Sequence, residues 1–78
     1  MDYEKMLEEA KLSIKIKVKA GKPFEVKDLF DGVKWKNLDT GEKISFGRYF
    51  SNEVDEGNIT GIAKIPRGKD NHTRYIKS

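Results

Sequence analysis

Residues 39–66 read DTGEKISFGRYFSNEVDEGNITGIAKIP, and two kinds of periodicity meet inside this stretch. Asp39 and Glu42 stand at the spacing of a capping box, in which each side chain satisfies the other residue's backbone N–H. A helix is predicted from about Glu42 to Glu56. Phe46, Phe50 and Val54 fall on one face at i, i+4 spacing, with Tyr49 at its border. Gly47 inside that helix costs roughly 1 kcal/mol relative to alanine, and close approach of another helix would account for it. Gly57 suits a helix C-terminus. The period then changes. Ile59 to Pro66 reads as a strand with Ile62, Ala63 and Ile65 as its apolar part, and Thr73 to Lys77 reads as a second, anchored by Tyr75 and Ile76. Arg67-Gly68-Lys69-Asp70-Asn71 between them is a polar connection, so the pair is a β-hairpin with a basic loop.

Upstream, residues 2–11 read as a helix. Asp2 is an N-cap candidate, Glu4, Glu8 and Glu9 suit the positive end of a helix dipole, and Met6, Leu7, Ala10 and Ile14 form an apolar stripe. Residues 12–19 read two ways. Leu12, Ile14, Ile16 and Val18 alternate with Ser13, Lys15, Lys17 and Lys19, which is a strand signal, yet Ile14 and Val18 also extend the helical stripe. Ala20-Gly21-Lys22-Pro23 stops either element. Phe24-Glu25-Val26 looks extended, Lys27-Asp28-Leu29-Phe30 resembles a brief helix, Asp31-Gly32 signals a turn, and Val33 to Leu38 suits a short helix containing Trp35. The order is helix, short strand, two helices, hairpin. That is the order of a winged helix-turn-helix: an α+β fold in one domain over residues 1–78, with the hairpin as wing and Glu42–Glu56 as recognition helix.

Part of this order resembles a family of small bacterial and phage proteins catalogued as domain of unknown function 1413. The resemblance rests on Phe24-Glu25-Val26-Lys27-Asp28-Leu29-Phe30, on Trp35, on Ser45-Phe46-Gly47-Arg48-Tyr49-Phe50 and on Arg74-Tyr75, over roughly residues 24–76. It implies a winged-helix-like fold. It implies no established activity, so no functional residues carry over from it.

Composition narrows the function classes. The chain has 78 residues, 37% of them charged and 36% hydrophobic. That is room for one core and no large substrate cavity beside it. With no cysteine there is no disulfide framework, thiolate zinc site or cysteine nucleophile, and a cytoplasmic location is expected. No apolar run approaches the roughly 20 residues of a membrane span, and the acidic start Met1-Asp2-Tyr3-Glu4 does not resemble a signal peptide. The net charge of +3 is unevenly placed. Residues 1–10 carry one Lys and four acids, whereas residues 11–22 carry five Lys and no acid. Residues 59–78 carry five basic groups against one acid. Two basic blocks thus flank a mildly acidic middle, and if they meet in space they form a basic face.

Catalytic constellations are missing from the pattern. His72 is the single histidine, and no Ser or Asp placement marks it as a base. Glu53, Asp55 and Glu56 cluster at one helix end, as a solvated terminus does, and no glycine motif forms a phosphate loop. A non-enzymatic protein without cofactor or metal is expected. Duplex DNA is the favoured partner. Lys43, Ser45, Arg48 and Asn52 are the candidates on the recognition helix; Ser45, Arg48 and Asn52 lie away from its Phe46/Phe50 face, and Arg48 and Asn52 are one turn apart, suited to guanine and adenine. Arg67, Lys69, Arg74 and Lys77 supply the wing and basic end, where phosphate contacts are expected. Against this, Glu42, Glu53, Asp55 and Glu56 outnumber Lys43 and Arg48 on the helix. Two alternatives stand beside it. If residues 12–19 form a strand, Ser13, Lys15, Lys17 and Lys19 share one face, and a dimeric ribbon could enter a groove. A protein-docking or inhibitory module would instead use Trp35, Tyr3 and Tyr49 as anchors. A homodimer is compatible with either function, with Met6, Leu7 and Ala10 as its expected surface.

Overall fold

The computed structural model describes residues 2–65 and 73–78. Helix α1 spans Tyr3–Ile16, strand β1 Pro23–Phe24, a 3-10 turn Val26–Leu29, helix α2 Gly32–Lys36, helix α3 Thr40–Asp55, strand β2 Ile62–Ile65 and strand β3 Arg74–Lys77. The three strands form one antiparallel sheet in the order β1-β3-β2. Phe24 lies opposite Tyr75, and Lys64 lies opposite Tyr75 on its other side. This is a winged-helix-like arrangement.

Residues 12–16 are helix. Asp2 caps α1 by accepting from the Lys5 N–H at 3.1 Å, and the stripe begun by Met6, Leu7 and Ala10 continues inward through Ile14. The alternating pattern loses because a helix closes its own backbone hydrogen bonds, whereas a strand needs an edge to pair with. The consequence is that Leu12 and Ile16 face solvent, at 56% and 70% exposure. The ribbon reading falls with it: Ser13 is buried while Lys15 is exposed, so the four residues do not share a face. The expected dimer surface is also corrected, since Met6, Leu7 and Ala10 are core.

Lys77 ends α1. Its ammonium donates to the carbonyls of Ile14 at 2.9 Å and Val18 at 3.2 Å, with Lys15 O at 3.5 Å. A cation at the negative end of the helix dipole satisfies carbonyls that the helix leaves open. The Gly21 N–H donates to Lys77 O at 2.8 Å, so the loop after α1 is tied to the same strand. Gly21 has φ 82°, which accounts for the glycine at that turn.

Helix α3 begins and ends as its sequence implies. The Glu42 N–H donates to Asp39 Oδ1 at 2.7 Å and the Asp39 N–H to Glu42 Oε1 at 3.3 Å. At the other end Gly57 adopts φ 80°. Its N–H donates to Val54 O at 3.1 Å, and the Asn58 N–H donates to Glu53 O at 2.9 Å. Those two bonds make a Schellman cap.

The core gathers Met6, Leu7, Ala10 and Ile14 from α1, Phe24, Leu29 and Phe30 from the middle of the chain, Phe46 and Phe50 from α3, and Ile59 and Tyr75. Phe46 and Phe50 are 0% exposed. Phe46 meets Phe30 edge-on at 5.5 Å, and Phe50 meets Tyr75 edge-on at 5.1 Å. Trp35 is half-buried and stacks on Phe30 at 5.6 Å, so it closes the edge of the core. Ile59, expected at the start of a strand, is instead a core residue of the loop before β2.

Truncating Phe46 or Phe50 to alanine is expected to cost about 3–5 kcal/mol, enough to unfold so small a domain. Circular dichroism melting checks this: a cooperative transition near the parent's midpoint in either variant would contradict the core. Lys77→Met is expected to cost about 1 kcal/mol by freeing the α1 carbonyls, read as a lower midpoint in urea unfolding.

Candidate nucleic-acid interface

With Phe46 and Phe50 turned inward, the opposite side of α3 is set. Ile44, Ser45, Arg48 and Asn52 are exposed along it. Between α3 and the rest of the fold runs an open cleft of about 600 Å³. Lys43, Ile44, Gly47, Arg48, Ser51 and Asn52 form its α3 wall, and Glu25, Val26, Lys27, Trp35, Thr73 and Tyr75 form the facing wall. The 3-10 turn carries Lys27 to this place, and its own capping box fixes the turn: the Glu25 N–H donates to Asp28 Oδ2 at 2.9 Å.

Charge on α3 is sorted by position. Its acids sit at the two ends, and each is engaged locally. Glu42 belongs to the capping box. Asn58 Nδ2 donates to Glu53 Oε2 at 2.8 Å and to Glu56 Oε2 at 3.4 Å. Lys64 on β2 pairs with Asp55 at 2.8 Å. Between residues 43 and 52 the only charged side chains are Lys43 and Arg48. Among the described residues, Lys27, Lys43 and Arg48 form no ion pair. Acidic charge gathers instead on the α1 side of the molecule, around Tyr49. Partial burial pushes that hydroxyl above its ordinary pKa, and the charges of Glu53, Glu4 and Asp2 add to the shift. Tyr3 stacks on Tyr49 at 5.3 Å, so both tyrosines pack within the fold rather than standing out as free anchors.

Of the residues singled out from sequence, Lys43, Arg48 and Asn52 come together in the cleft. Ser45 is exposed on the outer side of the same ridge. Arg74 is half-exposed in β3, one residue before inward-facing Tyr75, and by strand alternation it lies on the other face of the sheet. Lys77, expected to extend the basic end, holds the α1 carbonyls instead, because strand alternation puts it on the same side as Tyr75. Arg67, Lys69 and His72 lie outside the described residues.

Lys27, Ile44 and Gly47 were not legible as part of one site. Ile44 had a signal: an apolar residue out of phase with Phe46 and Phe50, left 53% exposed. Gly47 does not accommodate another helix as expected. A Cβ placed there meets nothing within 4 Å, and the residue lines the cleft. Among the described residues no group of three or more His, Asp or Glu side chains is placed to hold a metal ion.

The stretch Phe24–Phe30 that carried the resemblance builds the sheet edge and the cleft's facing wall, and a family match extends well beyond it, over residues 8–77, from α1 to the end of β3. The chain belongs to the family described as domain of unknown function DUF1413. No curated protein and no solved structure matches it. The DUF1413 match includes every described residue of the cleft, so the site lies within the family's own domain.

Because Gly47 has open space on its outer side, Gly47→Ala is expected to stabilise the fold by about 0.5–1 kcal/mol through helix propensity. A rise in thermal midpoint checks this. A fall would mean that the glycine is needed inside the fold.

Proposed function

We propose that this chain is a non-enzymatic, winged-helix DNA-binding protein with a regulatory or accessory role, and that α3 is the helix that reads duplex DNA. One observation carries the reading: the middle of α3 presents Lys43, Arg48 and Asn52 to an open cleft, with neither cation in an ion pair among the described residues, while the helix's acids are held at its ends. Arg48 is suited to guanine and Asn52 to adenine, and Ile44 offers an apolar contact for a thymine methyl group. Lys27 and Lys43 flank the cleft as phosphate ligands, which supply affinity without sequence information. Arg67 and Lys69 of the hairpin connection take the same role. Lys77 is excluded from the set because its ammonium serves α1. Ser45 is exposed beside them, and Arg74 lies by strand alternation on the face of the sheet opposite Tyr75.

A protein partner is the second reading, favoured by the apolar part of the same cleft. Exposed Ile44 and half-buried Trp35 and Val26 would receive an apolar anchor there.

Fluorescence anisotropy with duplex DNA across a salt series tests the proposal. Binding should weaken steeply as salt rises, because phosphate contacts release counterions. Arg48→Ala and Asn52→Ala should each cost about 1–3 kcal/mol on a preferred sequence and relax discrimination at one position. Lys27→Ala and Lys43→Ala should weaken binding to all duplexes alike and lower the salt slope by about one each. Absence of binding at low salt would overturn the DNA reading and leave the protein partner.

A further inference from the structure

We infer that the cleft beside α3 grips one sugar–phosphate strand of the bound duplex, and that Gly47 is the residue that lets this strand reach the helix backbone. Such a grip presupposes that the chain binds duplex DNA, and it specifies which part of the duplex the cleft takes. The starting point is a glycine that the fold does not use. Gly47 stands in the middle of the 16-residue α3, where glycine costs about 1 kcal/mol relative to alanine. The interior does not require it, since a Cβ there meets nothing within 4 Å among the described residues. Nor does the backbone: positive φ angles occur at Gly21, Gly57 and Gly61, and Gly47 is helical. Gly47 does line the cleft. A missing Cβ is of use where a ligand must come close to the main chain.

Charge selects the occupant. With Phe46 and Phe50 turned to the core, 3.6 residues per turn place Arg48 on the outermost line of α3, Gly47 on one flank and Tyr49 on the other. The two flanks differ. Tyr49 is stacked on Tyr3 and lies in the field of Glu53, Glu4 and Asp2, which turns a polyanion away. On the Gly47 flank, Lys43 stands one turn earlier on α3 and Lys27 lines the facing wall of the cleft. Neither lysine forms an ion pair among the described residues. Among the described lining residues the one acid is Glu25, and its side chain is engaged by the Asp28 N–H in the capping box of the 3-10 turn. Phosphate oxygens between the two lysines gain their attraction, and the sugar beside them meets the bare main chain at Gly47. A helix in a major groove has a phosphate strand on either side of it. Here one flank admits its strand and the acidic flank holds the other off, so α3 leans on a single strand.

Anisotropy titrations of the full chain with mixed-sequence duplex DNA, repeated across a salt series, test this. Gly47→Leu fills the approach without changing any charge. It should weaken binding about a hundredfold and lower the salt slope by about two, because the strand is pushed out of reach of Lys27 and Lys43. Gly47→Ala should act in the same direction by a smaller factor. In the Gly47→Leu chain, Lys27→Ala and Lys43→Ala should weaken binding little further, since the contacts they remove are already lost. Thermal melting separates these effects from loss of the fold: both Gly47 variants should melt at or above the parent's temperature, and if leucine lowers it, Gly47→Ala carries the comparison. A Gly47 variant with the parent's affinity and salt slope would overturn the close approach and leave the DNA reading standing. Undiminished effects of the two lysine substitutions in the Gly47→Leu chain would do the same. No binding by the parent at low salt would overturn the DNA reading and the grip with it.

Discussion

The edge-on contact of Phe50 with Tyr75, 5.1 Å between ring centres, joins α3 to the central strand of the sheet. Other rings extend it in both directions. Phe24 lies 5.8 Å from Tyr75 on the β1 side, and Phe46 carries the contact on to Phe30 and Trp35. Each such pair contributes about 0.5–1.5 kcal/mol beyond its buried area. In a domain this small, increments of that size are a large share of the stability expected for it. The rings also fix the rotation of α3 about its axis. Once Phe46 and Phe50 point at the sheet, Arg48 and Asn52 must point away from it. The surface of the cleft is therefore a consequence of the core.

Electrostatics follow the same geometry. Summed over its length α3 is acidic, which reads poorly for a helix that meets phosphate. Position reverses that impression. Glu42 serves the N-cap, Asp55 binds Lys64 across to β2, and Glu53 is held by the Asn58 amide at the Schellman turn. These acids support the ends of the helix and its junction with the sheet. Exposed ion pairs such as Lys64–Asp55 add little stability, but they do settle where the negative charge lies. What remains in the middle of the helix is cationic.

Two residues show how a small fold assigns side chains. Lys77 belongs by sequence to a basic tail, yet it crosses to the last turn of α1 and joins the first element to the last strand. Gly47 goes unused by the interior, because nothing packs where its side chain would be. A helix gives up stability for such a glycine, and here the space left open belongs to the cleft.

The caps of α3, its buried stripe, the turn at Gly57 and the succession from helix to hairpin were legible in the residues alone. All of these depend on interactions within a few positions along the chain: capping side chains reach three residues, and amphipathic stripes repeat every turn. Arg48 and Asn52 could be placed on one side of α3 for the same reason. Residues 12–16 could not be settled locally, since alternation and helical spacing both fitted Ile14, and the decision came with the burial of Ile14 in the shared core. Lys27 and Trp35 reach the cleft only because the 3-10 turn and α2 fold back beside α3. Lys77 finds the carbonyls of Ile14 and Lys15 in α1, 63 and 62 residues away, and that of Val18 just beyond it. Contacts of that range have no periodic signature, because only the meeting of distant elements around a shared core brings their side chains together.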